Sequence, residues 1–114
     1  MRVITGTARG RVLRTLEGED VRPTTDRVKE AVFSIIQFEI EGRRVLDLFA
    51  GSGQLGIEAL SRGAASATFV DMSKDSLSTV KYNLEHTKLG DNAKVVQTDA
   101  LSFLKLTKDK FDIV

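Results

Sequence analysis

The sequence predicts an α/β fold built around a mostly parallel sheet. Two observations carry that expectation. From Arg44 onward, short β-rich apolar runs alternate with helical periodicity across short loops. Acids or glycines also stand at the carboxyl ends of three of those runs, where ligands bind in open sheets of this kind.

Each element has a local reason. Arg2 to Leu16 holds two alternating pieces around Gly6, Ala8 and Gly10, which predicts a hairpin with Gly10 in the turn. Arg22-Pro23-Thr24-Thr25 reads as a helix start, with Asp26 suited to the positive helix end. Val28, Ala31, Val32, Ile35 and Ile36 follow helical spacing and predict an apolar face running to about Phe38. Arg44 to Phe49 reads as the first strand of the alternating region, and Ala50-Gly51-Ser52-Gly53 as a glycine loop. The next helix has Leu55, Ile57, Ala59 and Leu60 inward, with Gly63 ending it.

Ala67 to Val70 is the next strand, ending at Asp71. Ser73 is placed to cap a helix that carries Leu77, Val80, Lys81 and Leu84 on one side, and Gly90 closes that region. Lys94 to Gln97 is a third strand, ending near Asp99. A short helix follows with Leu101, Phe103 and Leu104, and Phe111 to Val114 begins a fourth strand. Parallel pairing through right-handed crossovers follows from this order. The expected division is a basic N-terminal hairpin over residues 1–20 and a ligand-binding domain over residues 21–114.

Bulk properties exclude several classes. There is no cysteine, so disulfides and thiolate metal sites are out. No apolar run is long enough to span a bilayer, and the N-terminus lacks a signal-peptide core. A cytoplasmic protein without a membrane or metal partner is expected. His86 is the sole histidine, reads as a surface residue and has no partner at ligand spacing. Net charge is only +1, but Arg2, Arg9, Arg11 and Arg14 precede the first acid, Glu17. Such a basic arm is either a solvated strand pair or a phosphate-contacting element.

The chemistry concentrates on one set of residues. Gly51, Gly53 and Gly56 form a literal G-x-G-x-x-G, with Asp71 twenty residues after Gly51. Alone, this fits a dinucleotide site as well as a methyl-donor site. Asp47 tilts the choice. An acid four residues before Gly51 would repel a pyrophosphate, whereas it complements the sulfonium and ammonium of S-adenosylmethionine. Asp71 can accept from ribose hydroxyls. Asp99 can accept from an adenine amine, with Met72 and Leu101 as apolar walls, or can simply cap its helix. An NAD(P)-binding oxidoreductase domain and a non-catalytic RNA-binding fragment remain as alternatives.

The segments Arg22-Pro23-Thr24-Thr25-Asp26-Arg27-Val28-Lys29-Glu30-Ala31, Asp47-Leu48-Phe49-Ala50-Gly51-Ser52-Gly53 and Gly56-Ile57-Glu58-Ala59-Leu60-Ser61-Arg62-Gly63 resemble the RsmD family. These are bacterial methyltransferases that modify the N2 amine of a guanine in small-subunit (16S) ribosomal RNA. The resemblance implies a Rossmann-like methyltransferase fold with a seven-stranded sheet, here reaching only its fourth strand. It implies S-adenosylmethionine as cofactor and S-adenosylhomocysteine as product. Asp47, Phe49, Ala50, Gly51, Gly53, Asp71, Met72, Asp99 and Ala100 would bind it. Arg2, Arg9, Arg11, Arg14 and Arg22 would contact RNA, free or in a small-subunit particle.

The family's Asp/Asn-Pro-Pro-Tyr motif would follow Val114, so no catalytic residue is expected within these 114 residues, and alone they should be inactive. An open fourth-strand edge would favour modest stability and self-pairing or aggregation.

Overall fold

A computed structural model describes residues 2–15 and 23–114. Its elements run α1 (Pro23–Ile36), β1 (Arg44–Asp47), α2 (Gln54–Ser61), β2 (Ser66–Asp71), α3 (Lys74–Thr87), β3 (Ala93–Gln97) and α4 (Ala100–Leu106). A 3-10 turn, Gly90–Asn92, leads into β3. The predicted α/β alternation is therefore present.

The sheet is parallel, in the order β1-β2-β3. The fourth strand is reduced to one parallel bridge, Val45 with Ile113, on the free side of β1. Leu46 N–H donates to Ile113 O at 2.8 Å and Asp112 N–H to Arg44 O at 2.8 Å. β1 is thus flanked by β2 on one side and by the chain's end on the other. That reversal of direction makes a topological switch point at the carboxyl end of β1.

Strand alternation sorts the side chains into two layers. Val45, Ala67 and Phe69 face the main core with Ile57, Leu60, Val80 and Leu84 of α2 and α3. Leu46 and Val70 face the other way, onto Phe103 of α4. The leader joins the main core through Val3, Ala8 and Leu13. Its hairpin is minimal: one antiparallel bridge, Arg2 with Val12, closed by a turn in which Gly10 has φ 83°.

Several helix readings need correction. α1 does not bury Val28, Ala31, Val32 and Ile35, which are exposed. Among its described side chains the inward ones are Lys29 and Phe33, with Ile36 partly buried. Lys81 of α3 is exposed, and Asn83 takes the buried place. Lys88 with φ 61°, not Gly90, ends α3. Leu55, Leu101 and Leu104 are exposed, leaving Phe103 as the only buried apolar side chain of α4. The misread leucines, valines, Ala31 and Ile35 stand at helical spacing, which alone does not make a core face. The faces are in fact chosen by what packs against each helix.

Candidate functional site

The site assembles at the carboxyl ends of β1, β2 and β3. β1 ends at Asp47, and the chain then turns through Leu48 to Gly53 into α2. Gly51 has φ 56° and Gly53 has φ 83°, a left-handed geometry that favours glycine. Gly53 is the N-cap of α2 and offers no side chain there. Gly56 serves packing, since a Cβ on it would overlap the Phe69 ring. The loop is held to the end of β2: Ala50 N–H donates to Val70 O at 3.0 Å, and Gly51 N–H donates to Asp71 Oδ2 at 3.0 Å.

Three carboxylates stand at or just beyond the carboxyl ends of β1, β2 and β3. Asp47 is half-buried, and its Oδ2 accepts from Gly56 N–H at 3.2 Å. Burial pushes its pKa up to about 6; the Gly56 N–H opposes this and the nearby Asp71 charge adds to it. Among the described residues no Lys or Arg forms an ion pair with it. Asp71 accepts from Gly51 N–H through one oxygen and from Ser73 N–H, at 2.8 Å, through the other. Asp99 caps α4, accepting from Ser102 N–H at 2.8 Å and Ser102 Oγ at 2.7 Å. Those two bonds, the backbone one first, hold its carboxyl below the usual range.

Of the predicted site residues, Asp47, Gly51 and Asp71 come together where β1 and β2 end. Phe49 and Met72 are exposed beside the loop and after β2, Ala50 and Gly53 are buried, and Ala100 opens α4 next to Asp99. Leu101, named as an adenine wall, is exposed as well. An apolar groove of about 440 Å³ borders Asp47 and Phe49, with Val32, Leu55 and Val114 among its walls. Of the arginines, Arg9, Arg11 and Arg14 are exposed on the leader. Arg2, also exposed, donates to the Gly10 carbonyl at 3.2 Å. Arg22 lies outside the described residues. His86 is a surface residue stacked on Tyr82, at 5.9 Å between ring centroids.

Four polar residues escaped sequence reading. Glu58 is fully buried on α2. It accepts from Ile4 N–H at 2.8 Å and Thr5 N–H at 3.1 Å, and pairs with Lys29 at 3.2 Å and Arg62 at 2.9 Å. Ser61 accepts from Ala8 N–H and donates to Thr5 O. Asn83, also fully buried, binds both the leader and the glycine loop. Gln54, the first residue of α2, has a buried Oε1 without a hydrogen-bond partner. The only sequence signal for any of these was a polar residue on the inner face of an otherwise amphipathic helix.

Residues 1–114 match the family described as Conserved hypothetical protein 95. The chain belongs to this family, the RsmD family. One relative, YlbH of Bacillus subtilis, is 51% identical over 100 residues, covering 88% of this chain and 54% of YlbH. Another family member, ribosomal RNA small subunit methyltransferase D of Haemophilus influenzae, is 43% identical over 117 residues. That alignment covers 100% of this chain and 61% of the relative. The solved structure of Escherichia coli yhhF superposes with a TM-score of 0.81 at 46% identity, covering 91% of this chain and 56% of yhhF. The chain thus spans between half and two thirds of the length of these RsmD-family relatives.

Proposed function

We propose that the chain forms the cofactor-binding part of an S-adenosylmethionine-dependent methyltransferase. Its target would be the N2 amine of a guanine in small-subunit ribosomal RNA. The observation that carries this reading is Asp47: a half-buried carboxylate beside a glycine loop, raised to about 6, with no ion-pair partner among the described residues. A ligand that brings a cation and no phosphate relieves that carboxylate. The donor set fits such a ligand, because Asp71 and Asp99 keep acceptor capacity and Gln54 Oε1 is a buried acceptor without a partner.

When bound, the cofactor supplies an activated methyl group on a sulfonium. The chain's residues would hold it. Asp47 and the Phe49-Ala50-Gly51 and Gly53 backbone take the amino-acid portion. Asp71 takes the ribose hydroxyls. Asp99 and Ala100 take the adenine edge, between the exposed side chains of Met72 and Leu101. Arg2, Arg9, Arg11, Arg14 and Arg22 supply phosphate contacts on the RNA. Catalysis of transfer to a delocalised amine rests on positioning, and the target base must leave its stack to reach the methyl group. Residues 1–20 would be the RNA-holding unit, residues 21–114 the cofactor-binding unit, and capture of the target base would lie outside both.

Titration calorimetry with S-adenosylhomocysteine, and NADH as the paired control, tests the reading. Binding of the first and not the second is expected. Preference for NADH would make the G-x-G-x-x-G loop a dinucleotide site and overturn it.

A further inference from the structure

One buried amide joins two regions that serve different ligands in the proposed function. Asn83 sits in α3 with no solvent exposure. Its Oδ1 accepts from Arg14 N–H at 2.7 Å, and its Nδ2 donates to Arg14 O at 2.9 Å. The same Nδ2 donates to Ser52 O at 3.0 Å. Arg14 belongs to the basic leader. Ser52 is the buried residue between the two left-handed glycines of the loop.

The chemistry of that junction is specific. A primary amide offers one acceptor oxygen and two N–H donors. Here the oxygen and one donor pair with both backbone groups of Arg14, as a neighbouring strand would. The second donor is left for Ser52. A carboxylate could keep only the first of these bonds, and an apolar side chain none.

The surroundings reinforce the link. The Arg14 guanidinium lies 3.8 Å above the Tyr82 ring, one residue before Asn83. Farther along the leader, Thr7 N–H donates to Ser61 O at 2.8 Å, and Glu58 and Ser61 hold Ile4, Thr5 and Ala8. Both anchors therefore end on the glycine loop or on the helix it opens.

We infer that Asn83 is a positioning residue that couples the leader to the glycine loop, so that RNA on the leader and the methyl donor in the loop strengthen each other's binding. The inference rests on the proposed function. Either ligand would favour the docked leader and the ordered loop, and the second ligand then meets an arrangement already formed. Such coupling is reciprocal: each ligand changes the other's affinity by the same factor.

The test uses full-length protein, S-adenosylhomocysteine and a fragment of small-subunit ribosomal RNA. Calorimetry gives the cofactor affinity with and without RNA, and fluorescence anisotropy gives the RNA affinity with and without cofactor. Mutual tightening of about fivefold or more is expected. Asn83→Asp keeps the acceptor for Arg14 N–H and removes both donations. This variant should still bind each ligand alone, with the coupling factor falling to about one.

A parent protein that binds both ligands independently overturns the inference and leaves the proposed function standing. Coupling that survives in Asn83→Asp also overturns it. A parent that binds neither ligand overturns both readings together. Should Asn83→Asp fail to fold, amide hydrogen exchange on the parent decides. RNA alone should slow exchange at Gly51 and Gly53, and unchanged exchange there sinks the inference.

Discussion

Glu58 and Asp47 are two carboxylates withdrawn from water, and their pKa values are shifted in opposite directions. Glu58 sits where the leader, α1 and α2 meet. Burial alone would raise its pKa, but Ile4 N–H, Arg62, Lys29 and Thr5 N–H together outweigh it and leave the group below its ordinary value. Asp47 sits at the end of β1 with one backbone N–H and an acidic neighbour, and burial wins. The first carboxylate is saturated and binds the structure together. The second is under-satisfied and suits an incoming cation. On the proposed function, saturation, more than burial or residue type, separates the structural acid from the ligand-binding one.

The largest way to break that contrast is Glu58→Gln. The amide would set an N–H against a backbone N–H and remove the negative charge that Lys29 and Arg62 share. A loss of about 3–5 kcal/mol is expected in urea unfolding. The parent's own pH response carries the same information. A lowered carboxyl contributes stability above its unfolded value near 4.5, and that contribution fades as pH falls through the folded value.

Asp47→Asn should act in the reverse sense on stability. A carboxyl raised from 3.8 to about 6 makes its folded ionised form unfavourable, so stability is lost as pH rises through that window. The shift corresponds to at most roughly 3 kcal/mol. At pH 7.5 the variant should melt at a higher temperature than the parent while binding S-adenosylhomocysteine about tenfold or more weakly. A variant both less stable and equally competent to bind would show Asp47 to be structural, like Glu58.

Acidity sharpens the same point without mutation. The parent's affinity for S-adenosylhomocysteine should fall about tenfold per pH unit below about 6, as Asp47 takes up a proton. Calorimetry in buffers of different ionisation heat would detect proton release on binding near that pH. Smallest is Arg14→Ala. Loss of the guanidinium over Tyr82 should cost about 0.5–1 kcal/mol in unfolding and reduce the salt dependence of RNA binding by about one phosphate contact.

The strand–loop–helix from Val45 to Ser61 was legible because its information is local. A β-rich run, an acid and spaced glycines each constrain their own backbone, and Ser73 and Asp99 capped the helices they precede. α1 was misread for the opposite reason. Val28, Val32 and Ile35 form a convincing apolar stripe, yet the helix turns Lys29 and Phe33 inward because Glu58 and Arg62 await them there. Asn83 and Glu58 were passed over as polar residues on helices, since their partners lie 69 and 53 or 54 positions away. No local pattern encodes a contact of that span.

Those spans also set an order of events during synthesis. The leader leaves the ribosome before its anchors at Glu58, Ser61 and Asn83, which follow 53 to 69 residues later. Until α3 has emerged, Val3, Ala8 and Leu13 have no complete core to enter. Docking of the leader therefore waits on residues made well after it, and an arm that closes late is open to capture before it closes.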